Sequence, residues 1–299
     1  MGDWSKEGKS KKEQTMKKFE MKGFMAIFAT GLILGLATSA FAAGKLSFGV
    51  KGGMGFMAPL IKGGDFLPEE DYNDLVDDIN QDLEDTRDWA ESVGGTASIN
   101  LAEKITRGWD LEGHAQYKIT EMFGLRGSVG YLTGMKSDFG SDLSYWDSWW
   151  GDQMTEKITV TVSASCLFIS VEPVLTLPLG KFLLTLGGGP GYYMGEGSAS
   201  VDQELSGVYY WGTLRDLTTD SSLSGSKIGF GGFLEAEYST ETLTMGANVG
   251  YRLTGEIETT GEARITGEEE GVPVDETEEI TGKLDFSGLY ALFMVGFGI

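Results

Sequence analysis

The sequence predicts an all-β chain: an eight-stranded antiparallel up-and-down β-barrel that crosses a membrane, with an acidic helix in its first external loop. Three observations predict it. Eight segments alternate apolar with small or polar residues at period two, the spacing that places successive strand side chains on opposite faces. The connections between these segments are alternately short and long, as in barrels with tight turns on one side of a membrane and extended loops on the other. Beyond the N-terminal region no run of about 18 apolar residues occurs, so the remaining chain holds no helix suited to spanning a bilayer.

Composition agrees with strands that pack closely. Of 299 residues 41% are hydrophobic, Gly occurs 45 times and Pro only 6, and no three-residue collagen period exists. Near the N-terminus, Met16-Lys17-Lys18 through Lys22 form a basic region and Phe24 to Leu36 an apolar core. Ala40-Phe41-Ala42 then supplies the small-residue pattern read by a signal peptidase. Residues 1–42 are therefore expected to be an export signal cleaved after Ala42, with Met16 a better initiator than Met1, and 43–299 the barrel. Removing them takes away 7 of 23 basic and 4 of 45 acidic groups, leaving 16 against 41, a net −25. Such a charge makes nucleic acid an unsuitable partner. The lone Cys166 excludes a disulfide framework and reads as a small hydrophobe.

The first strand carries Leu46, Phe48, Val50, Met54 and Phe56 on one face. The second carries Trp109, Leu111, Ala115, Tyr117 and Ile119, and the third Leu125, Val129 and Tyr131. In the fourth, Ile158, Val160, Val162 and Ala164 are apolar, and the apolar set then shifts to Leu167, Ile169, Val171 and Leu175. That shift predicts a β-bulge near Cys166 to Phe168. A fifth strand follows with Phe182, Leu184, Leu186 and Tyr192, and a sixth with Ile228, Phe230, Leu234, Ala236 and Tyr238. The seventh runs Leu243 to Leu253, and the eighth from Leu289 to Ile299. Thr120 to Gly124, Leu177 to Lys181 and Ser239 to Thr242 are the short connections. The long ones are Ala58 to Gly108, Ser137 to Glu156, Ser198 to Ser226 and roughly Gly255 to Lys283.

Within the first long connection, Tyr72, Leu75, Val76, Ile79, Leu83 and Ala90 recur at helical spacing after Pro68 and a group of acids. The opposite face of this helix is acidic. Ala97, Ile99 and Leu101 then alternate as a short strand, and Glu256 to Thr281 alternates as a protruding hairpin.

Period two does not say which face is outside, and a lipocalin-like soluble barrel would show the same alternation. The non-apolar face is mostly Gly, Ser and Thr, suited to a narrow lumen. Aromatics sit at both ends of the strands, with Tyr117, Phe182 and Tyr238 beside short turns and Trp109, Tyr131, Tyr192 and Tyr251 toward long loops, like two interfacial girdles. The last strand stays apolar on alternate residues to the end. On these features, and on the strand–turn–strand cadence of GWDLEGHAQYKITEMFGLRGSVGY (108–131) and LPLGKFLLTLGGGPGYY (177–193), residues 43–299 resemble the small bacterial outer-membrane β-barrel families typified by OmpA, OmpX and OmpW. The resemblance implies outer-membrane lipids as solvent and an insertion machinery that reads the C-terminal strand. Ile299 stands where those families commonly end in Phe.

The candidate lumen charges are Lys51, Glu112, His114, Lys118, Arg126, Glu235, Glu237 and Arg252, expected to form an internal salt-bridge network because unpaired charges in a low-dielectric lumen are costly. No catalytic site, cofactor or metal is expected. His114, the one histidine, faces the lumen, and the glycines from Gly187 to Gly197 lack the helix and lysine of a phosphate loop. The acidic loops match no calcium motif and read as a solvated surface. Trp146, Trp149, Trp150, Tyr209, Tyr210 and Trp211 form two aromatic loop segments that are candidate contacts for an extracellular ligand of unknown identity. The function expected is non-enzymatic: a structural or surface-interaction role through long acidic and aromatic external loops. A small channel for ions or apolar solutes, in the manner of the OmpW family, is the alternative; a soluble lipocalin-like carrier is the third reading.

Overall fold

The computed structural model of the chain describes residues 46–57, 60–62, 71–209, 212–240 and 243–298. The expected export signal, Tyr210, Trp211 and Ile299 lie outside the described residues. In chain order the elements are β1 (Leu46–Phe56), β2 (Leu60–Lys62), α1 (Tyr72–Ser92), β3 (Thr96–Asn100), β4 (Gly108–Lys118), β5 (Phe123–Asp147), β6 (Asp152–Leu179), β7 (Phe182–Gly207), β8 (Gly212–Ser239), β9 (Thr244–Leu253), β10 (Ile257–Glu269), β11 (Val272–Asp285) and β12 (Gly288–Gly298).

All pairings are antiparallel. A closed circuit runs β1–β4–β5–β6–β7–β8–β9–β12 and back to β1, so this ring has no free edge. The described residues hold twelve strands rather than the eight expected. The other four stand on the ring: β10 pairs with Arg215–Gly225 of β8, directly above the part of β8 that pairs with β9. Strand β11 follows β10, β2 pairs with β11, and β3 pairs with the upper part of β5.

Strands β5 to β8 are 25 to 28 residues long, far more than the roughly 9–11 residues that cross a bilayer. Most of the expected loops Ser137 to Glu156 and Ser198 to Ser226 are therefore strand. What hid them is a change of environment. In the lower half the outward side chains are apolar, as with Leu167, Ile169 and Val171, while Ser170 and Glu172 point inward. In the upper half the chemistry inverts: Val162, Ala164, Cys166 and Phe168 are buried inside, and Thr159, Ser163 and Ser198 face out. Val160 packs inward with them. The parity of the strand is continuous, and only its surroundings change.

The bulge expected near Cys166 to Phe168 is accordingly elsewhere. Register between β6 and β7 is unbroken, whereas β5 slips against β6 between Leu132 and Met135, where Gly134 takes φ 76°. An extra residue in a strand leaves the ladder locally unpaired, and glycine tolerates the left-handed backbone it requires.

Outward-facing apolar side chains form a continuous belt. It covers Phe123–Tyr131 of β5, Met245–Leu253 of β9 and Leu289–Phe297 of β12, with Val249 52% and Phe293 79% exposed. A lipocalin-like barrel would bury this set. Instead Lys51 and Arg252 are buried, the polarity of a barrel immersed in hydrocarbon.

Helix α1 starts at Asp71, whose side chain accepts from the Asn73 amide, and ends in a Schellman-type turn with Gly95 N–H on the Ala90 carbonyl and Gly94 at φ 80°. Its Tyr72, Val76 and Ile79 pack into the apolar core of the upper barrel. The side-chain amides of Asn73 and Asn80 each donate to and accept from the backbone, at Ile105 and Ala102 respectively. These four bonds satisfy an otherwise irregular segment between β3 and β4.

Candidate functional site

Inside the ring the predicted charges converge. Lys51 Nζ lies 2.9 Å from Glu112 and 3.0 Å from Glu235. Arg126 clamps Glu235 through two nitrogens at 2.6 and 3.0 Å, and donates to Gln116 at 2.8 and 3.1 Å. Asn248 also donates to Glu235, at 2.8 Å. One level higher, Arg252 meets Asp110 at 2.5 Å and approaches Glu112 at 3.8 Å. All these side chains are buried, so each charge depends on its partners rather than on water.

Aromatic rings enclose the cations. Phe233 lies under Lys51 and Arg126, with ring centroids 4.9 and 4.7 Å away, and Arg252 is held between Phe168 and Tyr290 at 4.4 and 4.1 Å. The narrow lumen has room for these rings because glycines face them: a Cβ at Gly130, Gly187 or Gly250 would collide with Phe168, Phe233 or Tyr290. This is a use of glycine that composition alone does not reveal.

Above the ion network the lumen is apolar. Leu132, Met135, Phe168, Tyr193, Leu284 and Phe286 belong to one buried cluster that reaches Tyr72 and Val76 of α1. The interior is therefore stacked, with ions below and a hydrocarbon plug above.

Two expectations need correction. Lys118 has the parity of a lumen residue but is the last residue of β4 and lies exposed at the short-turn end, outside the network. The network instead recruits Asp110, Gln116, Glu172 and Asn248, absent from the candidates because depth cannot be read from parity. Glu172 accepts from Ser170 at 2.8 Å and Ser128 at 3.4 Å. Glu237 is half-buried beside Glu235, and His114 packs over Gly49 with its Nδ1 buried and unpartnered. Among the described residues, no cluster of three or more His, Cys, Asp or Glu is placed to hold a metal ion.

A second candidate lies at the far end of the molecule. The β5–β6 turn presents Trp146, Trp149 and Trp150, with Trp149 90% exposed, and the neighbouring β7–β8 turn presents Tyr209. The turns are built, not loose. Asp147 accepts from the backbone N–H groups of Trp149 and Trp150 at 2.7 and 3.1 Å. Buried Asp152 accepts from the Tyr209 N–H at 2.9 Å, and Val208 N–H donates to the Gln153 carbonyl at 2.8 Å, so the two hairpin tips are tied together. Just below, Tyr145 packs edge-on against Trp89, and burial pushes its phenol above the usual range. Lower on the outer face, hydrogen bonds from Lys136 and Thr161 hold the Asp138 carboxyl below its usual range.

No family model and no curated protein matches the chain. Among solved structures, the chain is similar to the outer membrane protein AlkL in lipid bilayers, at 12% identity over 84% of this chain and 90% of that one, with a TM-score of 0.24. It is also similar to the COG4313 outer membrane channel from Pseudomonas putida F1, at 9% identity over 83% and 95% of the two chains, with a TM-score of 0.18. At likeness this low the architecture rests on the strand pairing described above.

Proposed function

We propose that this chain is a non-enzymatic protein of the bacterial outer membrane, a sealed barrel whose task is to carry a rigid extension on the cell surface. The observation that carries this reading is the doubly blocked lumen: a buried ion network below and an apolar cluster above, both made from the protein's own side chains. Such an interior rigidifies a small barrel and leaves function to the parts outside the membrane. Outer-membrane lipids would solvate the apolar belt, and the insertion machinery would read the apolar alternation of β12.

A small channel is the second reading, favoured by one observation. Asp110 Oδ1, His114 Nδ1, Asn248 Oδ1 and Arg252 Nη2 are buried without hydrogen-bond partners, which marks room for water among the charges. Conductance of the purified protein in a planar bilayer separates the two. The sealed barrel gives no discrete openings, and resolved unitary steps would decide for the channel. Slower migration after boiling than before, in a detergent gel, tests the barrel itself.

A further inference from the structure

The geometry points to the aromatic apex as a binding platform for uncharged polysaccharide, a partner class that rests on the reading of the upper barrel as surface-exposed. Outside the apolar belt, aromatic exposure is concentrated where β5–β6 and β7–β8 turn: Trp146, Trp149, Trp150 and Tyr209. Of the other exposed indoles among the described residues, Trp109 lies in the belt and Trp89 of α1 packs on Tyr145 just below the apex. The apex rings lie roughly 50 Å of strand beyond the belt, counting β5 from Leu132 to Asp147 at about 3.3 Å per residue. Large apolar groups held in water by a rigid scaffold mark an interaction surface.

Rigidity is the second observation. Asp147 fixes the backbone of Trp149 and Trp150, Gly151 at φ 67° closes the turn, and Asp152 locks the adjoining hairpin. Ring positions are thus set before any ligand arrives, which lowers the ordering cost of binding. Rings with two side-chain torsions, interleaved with serine and amide groups, are the composition of surfaces that bind polar ligands at low entropic cost. Here Ser148 supplies an exposed hydroxyl between the rings, with Ser144 and Gln153, bonded to each other at 3.0 Å, beside it.

Charge selects among ligand classes. Between Leu143 and Met154 the only charged side chains are Asp147 and Asp152, and both already accept backbone N–H groups. The turn therefore carries two carboxylates and no cation, on a chain whose barrel segment carries a net −25. An anionic partner or bilayer is repelled by the turn and by the body beneath it, and a cationic one is drawn first to the denser run of acids, Glu268 to Glu270, on the neighbouring β10–β11 turn. An uncharged sugar chain meets neither field. Its C–H faces stack on indoles, and its hydroxyls bond to serine and amide groups.

The test uses the mature barrel in an amine-oxide detergent, which carries no sugar headgroup. Maltohexaose, cellohexaose, mannohexaose and chitohexaose are titrated by calorimetry and tryptophan fluorescence, beside zwitterionic phosphatidylcholine vesicles. Expected is binding of at least one hexasaccharide, weakened about tenfold or more by Trp149→Ala and unchanged by Trp109→Phe in the belt. No binding of any hexasaccharide, binding indifferent to Trp149→Ala, or apex-dependent capture of the vesicles in place of sugar overturns the proposal. Gel mobility before and after boiling, run on the same samples, distinguishes a failed sugar site from a failed barrel.

Discussion

Glu235 accepts hydrogen bonds or ion pairs from Arg126, Lys51 and Asn248 in a space without bulk water. Truncating Arg126 leaves this carboxylate with one cation in place of two, and breaking one side of a buried pair typically costs about 3–5 kcal/mol. Arg126→Met is therefore expected to lower the urea midpoint of unfolding in micelles substantially. The double change Arg126→Met with Glu235→Gln recovers part of the loss, because the uncompensated charge has gone. Lys118→Ala, at the exposed end of β4, leaves the midpoint within error. An unchanged midpoint in Arg126→Met would mean that the network does not hold the barrel together.

At the scale of the strand, the inside and outside faces exchange chemistry where the chain leaves the belt, and substitutions should feel that boundary. Val249 lies mid-belt on β9, so Val249→Arg faces hydrocarbon and costs about 2–4 kcal/mol, read as lost folding yield in lipid vesicles. Thr161→Arg, on the outer face of the upper β6, costs almost nothing by the same assay. Inside, Gly130→Leu would meet the Phe168 ring and is expected to block folding even though it adds only hydrocarbon. Equal yields for the two arginine variants would remove the belt. The same boundary explains what the sequence revealed and what it hid. Alternation exposed the membrane-crossing part of every ring strand and the parity of Lys51, Glu112, Arg126, Glu235 and Arg252. Where Thr159 to Ser165 turned outward into water, the unchanged parity of β6 looked like a slipped phase and two protruding hairpins looked like loops. Lys118 misled for a related reason: parity gives a face, whereas burial also needs depth, and depth comes only from pairing. Phe168, Phe233 and Tyr290 were hidden because an aromatic inside a polar lumen contradicts binary patterning until the glycines opposite them are seen.

For the whole molecule, belt, plug and extension define an orientation that single cysteines can report. Cys166 is buried in the core cluster, so Cys166→Ala supplies a silent background with a modest cavity. Ser163→Cys then places a thiol on the outer face of the extension, and Glu121→Cys places one in the short turn between β4 and β5. A membrane-impermeant maleimide added to intact cells is expected to label position 163 and to reach position 121 only after the outer membrane is permeabilised. Val249→Cys, mid-belt, resists the impermeant reagent in both cases and reacts with a lipid-soluble maleimide. The three positions give different answers because a closed ring of nine to eleven residues per strand fits one bilayer thickness and no more. Labelling of 121 but not 163 on intact cells would invert the molecule and turn the aromatic apex inward, toward the periplasm. Equal labelling of all three in intact cells would mean that the apolar belt is bathed in water and that no membrane surrounds it.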